Sequence, residues 1–239
     1  GLVLFGVFIM NIALIPARGG SKRIPRKNIR AFRGQPMISW SIMAAQSAGC
    51  FDRIMVSTDD AEIAEVASRH GAEVPFLRPS DLADDQTTTQ AVVLHAIQWC
   101  EQHGLPLDAV CCLYATAPFV QSDDLIAAGL LLKQAPRSSF VFAATSFPFP
   151  IQRAIRIDHE GRSEMFLPEH FNTRSQELEE AFHDAGQFYW ARLEAWASSQ
   201  NLFDDGRPLQ LPRWRVQDID TEEDWKRAEL LHRLIEEQG

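Results

Sequence analysis

Cysteine is scarce and poorly spaced for structural use: Cys50, Cys100, Cys111 and Cys112 are the only four in 239 residues, and no two form a C-x-x-C pair. That argues against a disulfide framework or a thiolate zinc site and fits a reduced, cytoplasmic chain; Cys111-Cys112 lie in an apolar run and read as core packing. Positive charge is also short, with 23 Lys+Arg against 32 Asp+Glu and a formal net charge of −9. Such a balance argues against nonspecific nucleic-acid binding, which needs cations to neutralise phosphates. No apolar run reaches the roughly 20 residues of a membrane helix, so no membrane partner is expected. Leu2–Ile9 is apolar but short, and it lacks the basic flank and small-residue cleavage site of a signal peptide. Met10 reads as the natural start, with residues 1–9 as an upstream or non-native extension. Absent too are a Walker loop, a G-x-G-x-x-G turn, a Ser/His/Asp or Cys/His set of interpretable spacing, and any cluster of His and Cys.

The chain is instead built around Asn11–Asn28, NIALIPARGGSKRIPRKN. Ile12-Ala13-Leu14-Ile15 reads as a strand buried on both faces. Pro16 breaks it into a loop carrying Gly19, Gly20 and five cations, Arg18, Lys22, Arg23, Arg26 and Lys27. Glycines let backbone N–H groups approach phosphate oxygens, and the cations offset their charge, so the loop suits a polyphosphate. A solvated basic surface loop is the competing reading.

Further strands are expected at Arg53–Thr58, Ala72–Leu77, Ala109–Tyr114, Phe140–Thr145, Gln187–Ala191 and Leu211–Val216. Helices are expected from Pro36 to the Gly49 cap, over 61–70 behind Asp59-Asp60, over 88–103, from Ser122 to Ala135, near 193–199, and from a Thr221/Asp224 capping box onward. Trp225, Leu230, Leu231, Leu234 and Ile235 make the apolar side of the last helix. The alternation predicts parallel right-handed crossovers, with ligands beyond the carboxyl ends of the strands. From Phe147 the pattern changes to extended segments around a turn at 158–161 and then a polar stretch, which reads as an insertion able to cover the crevice or meet a second subunit.

Asp218 and Asp220 flank Ile219 at the exit of the last expected strand, which puts both carboxylates on one side and Ile219 in the core. Beside phosphates, oxygen ligands point to Mg²⁺ or Mn²⁺; one of the pair as a helix cap is the alternative. Arg78 suits a phosphate, a ribose or base edge, or a surface salt bridge. Thr87–Thr89 suit helix capping or a nucleotide. His183-Asp184 suits the substrate or a structural role, and Phe188, Tyr189 and Trp190 divide between core and pocket wall.

Four motifs, IPARGGSKRIPRKN, VSTDDAEIAEVASRHGAEV, LRPSDLADD and DIDTEEDW, resemble in order and spacing the acylneuraminate cytidylyltransferases, which activate nonulosonic acids with CTP. The resemblance runs from Met10 to about Leu231. Tyr114-Ala115-Thr116-Ala117-Pro118 stands where sialic-acid members carry Q-P-T-S-P, while FPFPIQRA and HDAGQFYW look like the pseudaminic acid branch. Gln152 beside Arg153 stands where a sialic-acid enzyme is expected to present a Lys, which weighs against sialic acid and leaves the partner of the sugar carboxylate open.

The resemblance implies an α/β fold: a Rossmann-like, mostly parallel sheet sandwiched by helices, of nucleotide-diphospho-sugar transferase type, with a small inserted dimerisation or lid arm at about 147–185 in a single domain over 10–239. It implies CTP and a nonulosonic acid as substrates, Mg²⁺ as the metal with Mn²⁺ an alternative, and a homodimer. By the same resemblance Arg18, Lys27, Asp218 and Asp220 are catalytic. Ala17, Arg18, Gly19, Ser21, Lys22, Asn28, Arg78 and Thr89 meet the nucleotide, Asp218 and Asp220 hold the metal, and Tyr114, Gln152, Arg174, Gln176, Gln187 and Phe188 meet the sugar. Competing readings are synthesis of CMP-sialic, CMP-legionaminic or CMP-ketodeoxyoctonic acid, a D-x-D glycosyltransferase, which leaves the cationic loop unexplained, and a non-catalytic nucleotide-binding module.

Overall fold

The computed structural model describes the backbone of residues 2–4, 7–198 and 201–238. A seven-stranded sheet forms the centre, and we number its strands β1 (Leu2–Leu4), β2 (Val7–Pro16), β3 (Arg53–Ser57), β4 (Leu107–Leu113), β5 (Val141–Ser146), β6 (Phe182–Arg192) and β7 (Arg207–Gln210). Their spatial order is β3-β2-β4-β6-β5-β7, with β1 antiparallel to the start of β2. β3, β2 and β4 are mutually parallel, as are β5 and β7, while β6 runs antiparallel between β4 and β5. The helices are α1 (Met37–Ala48), α2 (Ala61–Arg69), α3 (Thr89–Gln102), α4 (Ser122–Gln134), α5 (Leu193–Ala197) and α6 (Glu222–Gln238).

Local chemistry explains most boundaries. Gly49 closes α1 in the left-handed region at φ 60°. The Asp60 carboxylate accepts from Ile63 N at the start of α2, and Thr88 Oγ1 accepts from Ala91 N at the start of α3. Thr221 and Asp224 exchange side-chain and backbone hydrogen bonds ahead of α6, at 2.9 and 3.2 Å. β2 and β4 are buried on both faces, with Ile12, Leu14, Val110 and Cys112 in one apolar cluster and Ala13, Ile15, Cys111 and Leu113 in the other.

Several expected elements differ. The strand expected over Ala72–Leu77 is reduced to two isolated parallel bridges, Met55–Glu73 and Thr58–Leu77, because Pro75 between them lacks the N–H a ladder needs. The last strand is Arg207–Gln210; Leu211–Val216, holding Pro212, breaks instead into a tight turn at Arg213–Arg215. Ser122 is the first residue of α4, and the residue before it, Gln121, is the cap, its N–H donating to Asp124 at 3.2 Å. In α6, Leu230 and Leu234 are exposed, and the buried face is Trp225, Ala228 and His232. The first long strand starts at Val7, ahead of Met10; residues 1, 5, 6 and 199, which the expected extension and fifth helix include, lie outside the described residues. The insertion between β5 and β6 contains a hairpin, Ile155–Ile157 with Ser163–Met165, and is otherwise irregular.

Candidate active site

The carboxyl ends of β2, β3 and β4 meet the amino end of β6 at one edge of the sheet, and two cavities lie there. The first, about 480 Å³, is lined by Arg18, Ser21, Lys22, Arg23, Lys27, Asn28, Arg78, Asp85, Thr87, Thr89, Tyr114 and Asp220, among others. The second, about 590 Å³, is lined by Tyr114, Ser146, His183, Asp184, Gly186, Tyr189, Arg213, Gln217, Asp218 and Arg227, among others. Tyr114 faces both. Asp218 and Asp220, two residues apart, face one cavity each, so the acid pair stands at the junction.

A small apolar cluster anchors the basic loop against the acidic one. Ile24, in the middle of the cations, is wholly buried with Phe32, Met37 and Phe119 and with Ile219 and Trp225 from the acid-pair segment. Burying a side chain of this size contributes about 1.5–3 kcal/mol. The Asp218–Asp220 stretch is coil, not the end of a strand, yet Ile219 enters the core as its alternation with the acids predicts. A buried ion pair holds that stretch from the other side: Arg215 meets Asp124 of α4 at 2.7 and 3.0 Å, and its carbonyl accepts from Gln187 Nε2 at 2.9 Å.

The five cations divide. Arg18 and Lys22 both pair with Asp85. Arg23 and Lys27 share Asp220, at 2.9 and 3.4 Å. Arg26, at φ 55°, turns away from the cavity to Asp60 and Glu62, and it holds the Asp60 carboxyl at about 2. Four of the five therefore face one cavity, each matched by an acid. Asp85 is held below the usual carboxylate range by Lys22 and Arg18. Gly19 N–H donates to Asp59 at 2.9 Å, and a Cβ on Gly19 would lie 2.8 Å from Asp60 Oδ2, so the close approach requires glycine. Asn28 Nδ2 donates to the Arg18 carbonyl at 2.9 Å and fixes the turn.

Arg78 is buried and, among the described residues, pairs with no carboxylate. Its Nε donates to Ser57 Oγ at 3.0 Å, and its other nitrogens reach the Ser57 and Leu82 carbonyls. Burial lowers its pKa from the usual arginine value. The surface salt bridge among its expected roles is thereby excluded, and Arg78 forms part of the cavity wall. Thr88 caps α3, whereas Thr87 and Thr89 line the first cavity. Thr89 Oγ1 lies 3.3 Å from the Tyr114 hydroxyl, whose ring meets Tyr189 edge-on at 5.3 Å, and the Tyr189 hydroxyl donates to Asp184. A bulge makes the last contact: the β6 register shifts between Asp184 and Tyr189, with Gly186 at φ 63° and its N–H on Asp184 at 2.9 Å.

Of the residues expected to meet the sugar, only Tyr114 lines a cavity. Phe188 is fully buried in the core, because its side chain takes the inward position of β6. Gln187 is buried against Arg215. Gln152 donates to the Glu179 carbonyl within the arm, and Arg174 and Gln176 are exposed there, outside both cavities. Ala17 is buried at the root of the basic loop. His183 and Asp184 line the second cavity, and of the aromatic run Phe188–Trp190 only Tyr189 does. Sequence reasoning missed Ile24, Asp85, Arg213 and Arg227 as site residues: the LADD run marked the segment of Asp85, but nothing local distinguished Ile24, Arg213 or Arg227 from ordinary positions.

Asp218 lies among the lining residues with its carboxyl raised above the usual range, chiefly by partial burial and then by Asp220. Two carboxylates at the junction, Asp218 with no ion-pair partner among the described residues and Asp220 matched by Arg23 and Lys27, are oxygen donors of the kind a hard divalent cation takes. Among the described residues no group of three His, Cys, Asp or Glu gathers that could hold a metal unaided.

A cationic glycine-bearing loop and an acid pair at the carboxyl edge of an α/β sheet define a nucleotidyltransferase. The chain belongs to the cytidylyltransferase family, whose model matches residues 12–186, and is a CTP-dependent enzyme of that class. It is 44% identical over 234 residues to a pseudaminic acid cytidylyltransferase of Campylobacter jejuni subsp. jejuni serotype O:2, covering 95% of this chain and 98% of that one. It is 32% identical, over 95% of its length and 97% of the relative's, to a CMP-N,N'-diacetyllegionaminic acid synthase of Legionella pneumophila subsp. pneumophila. In fold it is similar to a CMP:2-keto-3-deoxy-manno-octonic acid synthetase solved with CTP, at TM-score 0.67 and 15% identity over 94% of this chain and 98% of that one.

Proposed function

We propose that this enzyme transfers CMP from CTP to the anomeric hydroxyl of a nonulosonic acid of pseudaminic type, releasing pyrophosphate. The observation that carries the reading is the pair of cavities meeting at Tyr114, one cationic and phosphate-suited, the other polar and sugar-sized, with the acid pair at their junction. The 44% identity to a pseudaminic acid enzyme over nearly the whole chain supports the choice of sugar.

In this reading the sugar hydroxyl oxygen forms a bond to the α-phosphorus, the bond from that phosphorus to the bridging β-phosphate oxygen breaks, and the hydroxyl proton is released. Transfers of this kind depend mostly on positioning and charge stabilisation. Arg18, Ser21, Lys22 and Lys27 receive the triphosphate and stabilise the leaving charge, while Ala17 and Gly19, whose N–H groups are held by Ser57 and Asp59, shape the root of the loop. Asn28, Arg78 and Thr89 shape the nucleoside side. Asp218 and Asp220 would hold Mg²⁺, or Mn²⁺, and the ion would supply further neutralisation of phosphate charge. The protein works in the cytoplasm, as its four free thiols suggest, and as a homodimer paired through the arm.

The test is pyrophosphate release from CTP and Mg²⁺ with pseudaminic, legionaminic or N-acetylneuraminic acid as acceptor. Release with pseudaminic acid and not with the others is expected. Release only with another sugar would overturn the sugar and keep the chemistry; binding of CTP without release in any mixture would overturn the reaction.

A further inference from the structure

Resting on that reaction, we infer that Arg213 and Arg227 form the receptor for the acceptor's carboxylate. In a nonulosonic acid the carboxyl group and the attacking hydroxyl are carried by the same carbon. Whatever holds the carboxylate must therefore lie within a few ångströms of the reacting centre, on the sugar side of the acid pair. The second cavity is that space, and its guanidinium groups are Arg213 and Arg227.

Each arrives from an element that also frames the acid pair. Arg213 sits in the tight turn that leads to Asp218, and Arg227 is on the first turns of α6, directly after Asp220. Among the described residues neither forms a salt bridge: Arg213 gives one nitrogen to the Phe147 carbonyl at 3.2 Å, and the Arg227 side chain makes no hydrogen bond, although its charge acts on Asp224 one turn before it. The contrast with the first cavity is sharp, since Arg18, Lys22, Arg23 and Lys27 are all matched there by Asp85 or Asp220. Of the acids that line the second cavity with them, Asp184 is occupied by the Tyr189 hydroxyl and Gly186 N–H, and Asp218 forms no salt bridge with either arginine. Two exposed guanidinium groups on one cavity, neither in a salt bridge among the described residues, suit a planar carboxylate and its bidentate geometry. Within the same chain, Gln152, Arg153 and Arg174 do not line this cavity, so the arm's polar residues do not compete for the role from their own subunit.

A pyrophosphate oxygen is the other anion available to these arginines, and the experiment separates the two. Steady-state constants are measured for Arg213→Gln and Arg227→Gln with the nonulosonic acid and with its carboxamide. The wild-type enzyme should prefer the acid; each variant should raise KM for the acid about tenfold or more, leave KM for CTP and inhibition by pyrophosphate unchanged, and lose the preference over the amide. Arg213→Lys and Arg227→Lys should recover part of it, and CTP binding checks that each variant is folded. Retention of the acid preference in both Gln variants would overturn the assignment. So would a rise confined to CTP or pyrophosphate constants, or loss of the preference in Arg153→Gln alone, which would hand the carboxylate to the partner's arm. Failure of the wild type on every nonulosonic acid would instead defeat the proposed reaction itself.

Discussion

Lys27 and Asp218 carry the sharpest expectations among single residues. Lys27 lines the first cavity, is 16% exposed at its side chain and lies 3.4 Å from Asp220. Replacing Lys27 with Ala should cost roughly 10²-fold or more in kcat, since a preorganised cation at developing charge contributes several kcal/mol; near-normal turnover would sink that role. Asp218→Asn should cost a similar factor and yet stabilise the apoprotein. The Asp218 carboxyl is raised in the folded state by burial and by Asp220. The folded state therefore keeps this proton to higher pH than the unfolded chain, and stability falls as pH rises from the unfolded value through the raised one. Above that window the carboxylate is a liability in the metal-free protein. In EDTA near pH 7 the Asn variant should melt slightly higher than the parent, and the gap should close as pH falls through the carboxylate range. A lower Tm for the variant at pH 7 would contradict this account.

These residues were legible because their chemistry is local: a run of cations beside glycines, and two acids spaced by one apolar residue. Arg78 was legible as a site position, but its burial against Ser57 was not, since no sequence pattern announces a guanidinium satisfied by carbonyls.

Elements were readable where a cap or a period specifies them, as in α1, α2, α3 and the start of α6. They were misread where a long-range partner decides. Arg207–Gln210 becomes a strand because β5 offers an edge, and Leu211–Val216 does not because Arg215 is drawn into an ion pair with Asp124. That pair ties α4 to the acid-bearing coil. Asp124→Ala leaves a buried guanidinium unmatched and should destabilise by about 3–5 kcal/mol, with KM for the sugar rising before KM for CTP in whatever fraction stays folded. Denaturant unfolding together with the two Michaelis constants tests it; a shift under about 1 kcal/mol would show that the pair does not hold the coil. Ile24 makes the same point for the basic loop. Nothing adjacent marks it as core, because its partners Ile219 and Trp225 arrive about two hundred residues later.

At the scale of the whole molecule the strand order was the least legible feature. Parallel crossovers follow from alternating strands and helices, but the antiparallel β6 in the middle of the sheet follows from the arm that precedes it, which leaves β5 at Ser146 and re-enters the sheet beside it at Phe182, at the same end. That arm has no core of its own: its hairpin has two strands of three residues, too few to be stable alone. It also exposes Phe149 at 79%, Phe171 at 71% and Ile157 at 70%, with Ile155 and Phe166 beside them in sequence or across the turn. Apolar surface of this density on one segment is costly in water and is the kind that protein contacts cover. A second copy presenting the same arm would bury it twofold symmetrically, the commonest closed arrangement. Light scattering should therefore give a dimer at micromolar concentration. Phe149→Asp with Phe171→Asp should give a monomer that still binds CTP, because both residues lie outside the first cavity. A parent protein that is monomeric at every concentration would refute pairing through the arm. A double variant that stays dimeric would move the interface elsewhere on the surface.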